Sequence, residues 1–287
     1  MTEQPDGTTS RNHLTDKVIV ITGGAGGFGR LVAAKTAARG ARVVVADIDE
    51  AGVGAVVDEI ITAGGTATGS VADVRDLAAM RALADHAVEH HGAIDVMINN
   101  AGIMPLAFYA DHEQAADAWD RCIDINIKGV LNGTIAVYDQ MIAQGRGHVV
   151  NLSSIYGNFP VAGAAVYGAT KAAVNVLSDA LRVESQGRIK VTTVRPTGVP
   201  GTGLGDGIVN PQAISGILGG NQDEFAAAIG EVMSGTDTGG RTDPDDIGYW
   251  AISPDELADQ IVMVIDQPWG LVISDLTVRA AGEHYVI

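Results

Sequence analysis

Two tyrosines stand eleven residues apart in SSIYGNFPVAGAAVYGATK (residues 153–171), and only the second, Tyr167, has a lysine four residues on. On a helix, Tyr167 and Lys171 share one face. A phenol titrates at about 10 and carries protons poorly at neutral pH. A neighbouring ammonium favours the phenolate and brings the group toward its working range. A general acid/base beside its activator is one reading of the pair; a solvated helix face is the other, and for this spacing taken alone the commoner one. Tyr156 lacks such a partner: four residues on stands Pro160, which breaks helical geometry. It reads as pocket wall. A second constellation lies near the N-terminus. ITGGAGGFGR (21–30) joins an apolar β-branched run to a helical stretch. Glycines at such a turn let the backbone approach a pyrophosphate, and the helix N-terminus adds free N–H groups and a positive dipole end. Asp47 closes the next apolar run. A carboxylate there accepts bonds from ribose hydroxyls and repels a 2′-phosphate, which favours NAD over NADP. Arg42 begins that run and belongs at its far end.

These residues need elements to hold them, and the chain supplies a regular alternation. Strands are expected over 17–22, 41–47, 66–73, 93–100, 147–154, 188–196 and 271–279. Helices are expected over 30–40, 50–65, 77–92, 118–145, 166–185 and 253–266, the last opened by Ser253 and Glu256 at capping-box spacing. Most strands are apolar along their length, so both faces are buried. The expectation is an α/β fold: a doubly wound Rossmann-type domain with a mostly parallel seven-stranded sheet and helices on both faces. Residues 1–14 are expected as a flexible tail and 15–287 as one domain. From Thr197 to about Tyr249 the rhythm breaks into glycine-rich, acidic text, expected as a mobile cover or substrate loop.

Composition narrows the classes. A net charge of −17 over 287 residues repels phosphate backbones and anionic lipid, so no nucleic-acid or membrane partner is expected. No run reaches the roughly 18 apolar residues of a spanning helix. The polar first dozen residues carry no apolar signal segment. One cysteine, Cys122, excludes an intrachain disulfide, which fits a reducing compartment, and a cytoplasmic location is expected. Cys122 itself reads as an inert buried thiol. No metal site is expected.

Four motifs then fall in order: T-G-x-x-x-G-x-G at Thr22, Gly23, Gly27 and Gly29; NNAG at 99–102; a serine at 154; and Y-x-x-x-K at 167–171. Together they resemble the short-chain dehydrogenase/reductase family over roughly residues 15–200, with a return in the last strand. The resemblance implies an oxidoreductase that binds a nicotinamide dinucleotide. It implies Tyr167 as acid/base, Lys171 lowering the tyrosine pKa and bonding the nicotinamide ribose, and Ser154 rather than Ser153 holding the substrate oxygen. Asn126 matches the helix asparagine that anchors a proton-relaying water. Cofactor contacts carry over to Gly23, Gly27, Phe28, Gly29, Asp47, Ile48, Asp73, Val74, Asn100, Ala101 and Gly102, besides Tyr167 and Lys171. Two departures stand out. After the sixth strand the text is Pro196-Thr197-Gly198-Val199-Pro200-Gly201-Thr202, with glycine and threonine displaced from the family's pattern; Pro196, Val199 and Thr202 are the positions carried over. The family's V-D-G-G is replaced by ISDLTVRAAGEHYVI.

The expected reaction is the interconversion of a secondary alcohol and its ketone with NAD, NADP being less favoured. Pocket candidates are Met104, Ile155, Tyr156, Phe159 and Leu204, joined by Leu106, Phe108 and Trp250. They are mainly apolar, which points to a neutral, fairly hydrophobic substrate. The family resemblance implies a homodimer or homotetramer through the 118–143 and 166–185 helices. The rival readings are an NADPH-dependent ketoreductase, an inactive dinucleotide-binding regulator, and a sugar-nucleotide epimerase.

Overall fold

The computed structural model describes residues 12–236 and 240–285. Seven strands form one sheet: β1 (Val18–Thr22), β2 (Arg42–Asp47), β3 (Thr66–Val71), β4 (Val96–Asn99), β5 (Gly147–Leu152), β6 (Ile189–Pro196) and β7 (Asp275–Val278). Their order is β3-β2-β1-β4-β5-β6-β7, and every pairing is parallel. The sheet is thus wholly parallel, with the apolar text of β1, β4 and β5 buried along its whole length. The third and seventh strands are shorter than their sequence patterns, ending at Val71 and beginning at Asp275.

Helices α1 (Gly27–Ala38), α2 (Glu50–Thr62) and α9 (Pro254–Ile265) cover one face, packing Val32, Val56 and Ile261 on Ile21, Val45 and Ile98. Helices α3 (Leu77–His91) and α5 (Gly129–Gln144) cover the other, with Met80, Leu83, Val137 and Met141 on Val20, Val44 and Met97. The capping box at the start of α9 is formed: Ser253 N–H donates to Glu256 at 2.8 Å, and Glu256 N–H donates to Ser253 Oγ at 3.2 Å. No helix among the described residues is long and apolar enough to cross a membrane.

The strand order reverses between β1 and β4. Chain leaving the ends of these neighbours diverges toward opposite faces and opens a crevice. That crevice receives the glycine turn from one side and residues 100–103 from the other.

Three findings depart from the pattern-based expectation. The long helical stretch is three consecutive pieces: α4 (His112–Ile123), a π-helical turn (Asp124–Lys128) and α5. Apolar spacing does not distinguish one widened turn from its α-helical neighbours, so the turn is invisible in sequence. The region from Thr197 onward contains helices α7 (Ile214–Leu218) and α8 (Gln222–Ser234), where text rich in glycine suggested a loop. Gly216 belongs to packing rather than to flexibility: a Cβ there would stand 1.8 Å from the Ala162 carbonyl oxygen, so only glycine lets α7 lie on the 160s loop. The expected 1–14 tail falls outside the described residues up to residue 11. Its last residues are tied down, with Leu14 buried, Asn12 Nδ2 donating to the Arg39 carbonyl at 2.8 Å and His13 N–H donating to Asp266 at 2.6 Å.

Candidate active site

The glycine turn lies between β1 and α1, and its backbone is held from both sides. Thr22 Oγ1 accepts from the backbone N–H groups of Asn100 (3.1 Å) and Ala101 (3.2 Å). Asn100 Nδ2 donates to the carbonyls of Thr22 and Gly23, each at 2.9 Å. Gly29 packs so closely that a Cβ would sit 2.3 Å from the Gly23 carbonyl oxygen. Gly26, the N-cap of α1, has no side-chain cap, so the first N–H groups of that helix face the cleft unsatisfied by side chains. Asp47, from the end of β2, accepts from Ala25 N–H at 3.1 Å and Asp49 N–H at 3.2 Å. It therefore stands at the lip of the same turn. Arg42 lies at the far end of β2, paired with Asp16 at 2.6 Å.

A cleft of about 290 Å³ results, walled by the glycine turn with Gly23, Gly27, Phe28 and Gly29, by Asp47, by Asn100 to Ile103, and by Thr202 to Leu204. The other expected cofactor contacts are placed differently. Ile48 is largely exposed beside Asp47. Asp73 is gripped by Arg75 through both carboxylate oxygens, which holds its carboxyl below the usual range. Val74 is buried beside Gly129, and its carbonyl accepts from Asn132 Nδ2 at 2.9 Å. Pro196 ends β6 against Val278, and Val199 packs on the core of the α1 face.

The opening tyrosine–lysine pair sits on α6 (Ala165–Glu184), where Tyr167 and Lys171 are both buried. The two serines after β5 divide their labour. Ser153 Oγ donates toward the Lys171 carbonyl (3.0 Å) and Asn175 Oδ1 (2.7 Å), so it is spent on α6. Ser154 Oγ accepts from Tyr156 N–H at 3.2 Å, and Ser154 is the serine that acts on the Tyr167 phenol, opposing the upward push of burial on its pKa. The geometry thus brings Ser154, not Ser153, to the phenol. Lys171 Nζ donates to the Leu152 carbonyl at 2.8 Å and lies 5.7 Å from the centre of the Tyr167 ring. A Cβ on Gly102 would come within 3.5 Å of that Nζ and 3.3 Å of Asn126 Oδ1, so the lysine, the asparagine and the wall of the cleft meet at one point.

Asn126 lies in the π-helical turn and is fully buried. Its Oδ1 accepts from Ile103 N–H (3.0 Å), and its Nδ2 donates to the Ile103 carbonyl (3.0 Å) and to Thr170 Oγ1 (3.1 Å). Its amide is therefore committed to clamping the exit of β4 against α6. Cys122, one turn earlier, is buried, and burial pushes its thiol up, as suits an inert group.

The expectation that Lys171 draws the Tyr167 phenol down is not met in the protein alone. Burial pushes Tyr167 up to about 12, opposed by its hydrogen bond with Ser154. Burial brings Lys171 down to about 8. The physical reason is that both groups sit in the interior, where each loses hydration of its charged form, while the Nζ spends a hydrogen bond on a carbonyl.

An apolar cluster surrounds Tyr167. Ile155, Tyr156 and Leu106 are buried in it, and Met104, Phe108 and Phe159 pack at its edge. Leu204 instead lines the glycine cleft, and Trp250 packs against Phe225 of α8 with the rings tilted at 53° and 5.4 Å between their centres. Sequence reading missed the contribution of the C-terminal segment. After β7 the chain turns back: Gly282 N–H donates to the Tyr249 carbonyl at 2.8 Å, and Asn221 Nδ2 to the His284 carbonyl at 2.9 Å. Glu283 accepts from Thr197 Oγ1 and pairs with Arg279 at 2.5 Å. Tyr285 packs against the Tyr167 cluster, and its ring covers Gly198, where a Cβ would stand 2.1 Å from it. The displaced glycine after β6 is thus the seat of this tyrosine. The only hint in sequence is the pair of departures, at Gly198 and at the terminus, occurring together.

Comparisons with known proteins agree with this architecture. The family model described as short chain dehydrogenase matches residues 17–212. A 2,5-dichloro-2,5-cyclohexadiene-1,4-diol dehydrogenase of Sphingobium indicum is 38% identical over 190 residues, covering 66% of this chain and 75% of that one. Among solved structures, a short-chain dehydrogenase/reductase of Burkholderia phymatum in complex with NAD is 26% identical, with a TM-score of 0.72 over 93% of this chain and 90% of that one. A metagenomic short-chain oxidoreductase in complex with NADP is 29% identical, with a TM-score of 0.69 over 93% and 97%. On the matched residues and the shared fold, the chain belongs to the short-chain dehydrogenase/reductase family.

Proposed function

We propose that the protein is an NAD-dependent oxidoreductase that interconverts a secondary alcohol and its ketone, with Tyr167 as acid/base. One observation carries this reading: Ser154, Tyr167 and Lys171 converge in a buried apolar cluster directly beside a glycine-walled cleft that ends in a carboxylate. The residues of that cleft fit a dinucleotide. Gly29 leaves no room for a side chain, the first N–H groups of α1 are uncapped, and Asp47 offers carboxylate oxygens at the distal lip. Gly23 to Gly29 would hold the pyrophosphate, Asp47 the adenosine ribose, and Asn100 to Gly102 the middle of the molecule. The chemistry such a cofactor supplies is two-electron acceptance: alcohol plus NAD⁺ gives ketone, NADH and a proton.

The chain's own residues do the rest. Ser154 Oγ holds and polarises the substrate oxygen, and Tyr167 Oη takes the hydroxyl proton on oxidation or returns it on reduction. With the phenol at about 12 in the protein alone, proton uptake near neutral pH needs a favourable charge beside it. Lys171 is the cation in reach, and protonated at neutral pH it supplies that charge. Asn126 positions the exit of β4 by clamping Ile103, which sets Gly102 against Lys171. The surrounding residues exclude water and accept a neutral, mainly apolar substrate. A cyclic diol as substrate of one relative, by its name, is compatible with that pocket.

Steady-state rates test both parts. With a panel of secondary alcohols, NAD is expected to exceed NADP in kcat/KM by at least about tenfold, and Asp47→Ala to narrow that gap. Preference for NADP would favour the ketoreductase reading instead. Tyr167→Phe is expected to lower kcat by about 10³-fold or more while NAD still binds by calorimetry. Full turnover in that variant would overturn the assignment.

A further inference from the structure

Tyr156 carries an unused hydrogen-bonding group. The residue is 7% exposed, and its hydroxyl is buried and finds no partner among the described residues. Buried hydroxyls are nearly always paired, and an unpaired one is costly unless something else reaches it. The residue is also held firmly. Its backbone N–H donates to Ser154 Oγ at 3.2 Å. A Cβ on Gly168 would stand 2.9 Å from the Tyr156 carbonyl oxygen, and one on Gly157 would stand 2.7 Å from the Lys171 backbone, so the turn after β5 is pressed onto α6. Phe159 meets the Tyr156 ring edge-on at 6.3 Å, so the phenol has little freedom to swing away.

The hydroxyl belongs to the same cluster as Tyr167. Tyr167 on α6 and Arg279, Glu283 and Tyr285 of the C-terminal segment lie near enough to act on it electrostatically. Glu283 is engaged with Thr197 and Arg279, and the Tyr285 ring is seated on Gly198. The Tyr156 hydroxyl is thus a polar group of this largely apolar cluster, besides the Ser154–Tyr167 pair, that no group among the described residues satisfies. A hydrocarbon ring carrying a single oxygen would bury this hydroxyl unpaired. A ring carrying a second oxygen would satisfy it.

We propose that Tyr156 selects substrates with a second oxygen, a diol or hydroxyketone whose non-reacting oxygen bonds the Tyr156 hydroxyl while the reacting one lies between Ser154 and Tyr167. This rests on the alcohol–ketone reading above and deepens it. The role is specificity: the proton still passes through Tyr167, and Tyr156 orients the ring so that one carbinol is presented. A site built to bond a substrate hydroxyl discriminates against the analogue lacking it, because the site's own group is left unpaired.

The test compares cyclohexanol with the three positional isomers of cyclohexanediol, using NAD and following the reduced nicotinamide absorbance. In the natural protein the best diol is expected to exceed cyclohexanol about tenfold in kcat/KM, beyond the factor of about two that two equivalent hydroxyls give. The gain should appear mainly in KM. In Tyr156→Phe that ratio is expected to fall to about two. A residue that only packs would lower both substrates together and leave the ratio where it was. Cyclohexanol turnover without diol preference in the natural protein would overturn the inference and leave the oxidoreductase reading standing. An unchanged ratio in Tyr156→Phe would do the same. Absence of turnover with every alcohol and with both cofactors would overturn the oxidoreductase reading and this inference with it.

Discussion

At the scale of single residues, Lys171 shows how a functional group burdens the protein that holds it. Its ammonium is buried, and burial lowers its pKa from 10.5 to about 8. The unfolded chain therefore binds that proton more tightly than the folded one. Below pH 8 the folded state bears the whole cost, about 3 kcal/mol; it is relieved as pH rises from about 8 toward 10.5. Lys171→Met removes the charge, and loses about 1 kcal/mol with the bond to the Leu152 carbonyl. The variant is expected to be more stable than the natural protein at pH 7 by about 2 kcal/mol, inactive, and to lose its advantage by about pH 10. Calorimetric melting of the cofactor-free protein at both pH values checks this. Equal Tm values at pH 7 would show that the lysine is not held at a cost. The convergence of the proposed site residues was largely legible in sequence. Tyr167 and Lys171 lie four apart on one helix, and Ser154 is the member of its pair that the fold turns toward the phenol. Tyr156 reads in sequence as pocket wall, and its unpaired hydroxyl is not legible there, since pairing depends on what surrounds it.

At the scale of elements, two devices decide the shape of the site. The π-helical turn at Asp124–Lys128 carries Asn126, and with it the clamp on Ile103. Asn126→Ala is expected to leave Ile103 N–H unpaired in the interior, to lower kcat by about tenfold or more, and to cost about 1–3 kcal/mol of stability. Chemical denaturation and initial rates on one preparation measure both. The second device is the helical cover, α7 and α8, laid on the 160s loop through Gly216. Gly216→Val places side-chain atoms where the Ala162 carbonyl stands. The cover is expected to lift, raising KM for the alcohol several-fold and speeding proteolysis between residues 197 and 236, with Kd for NAD nearly unchanged. A KM that stays put would mean the cover does not shape the substrate pocket. Neither device was legible, for different reasons. A π-helical turn leaves the apolar period of its flanks almost intact. The cover's helices are short and interrupted by glycines that look like breakers until their close contacts are known.

At the scale of the whole molecule, the charge of −17 sets a field that every anionic ligand must enter. NADP carries more negative charge than NAD, so it is repelled more. Raising ionic strength from about 20 mM to about 200 mM shortens the Debye length from roughly 20 Å to under 10 Å. KM for NADP is expected to fall more than KM for NAD across that range. Equal salt dependence would place the discrimination entirely at Asp47. The glycine turn, the parallel strands and the Tyr167–Lys171 pair were all determined by the sequence, because each depends on residues within one or two adjacent elements. Strand apolarity, turn chemistry and helical spacing act locally, and local rules read directly. The tertiary structure alone decided what closes the pocket. Gly198 and Tyr285, or Thr197 and Glu283, meet across more than eighty residues of chain, with no period linking them. Their encounter follows from β7 pairing with β6 and the terminus turning back toward the Tyr167 cluster. Only that packing shows that the Tyr156 hydroxyl is buried without a partner among the described residues.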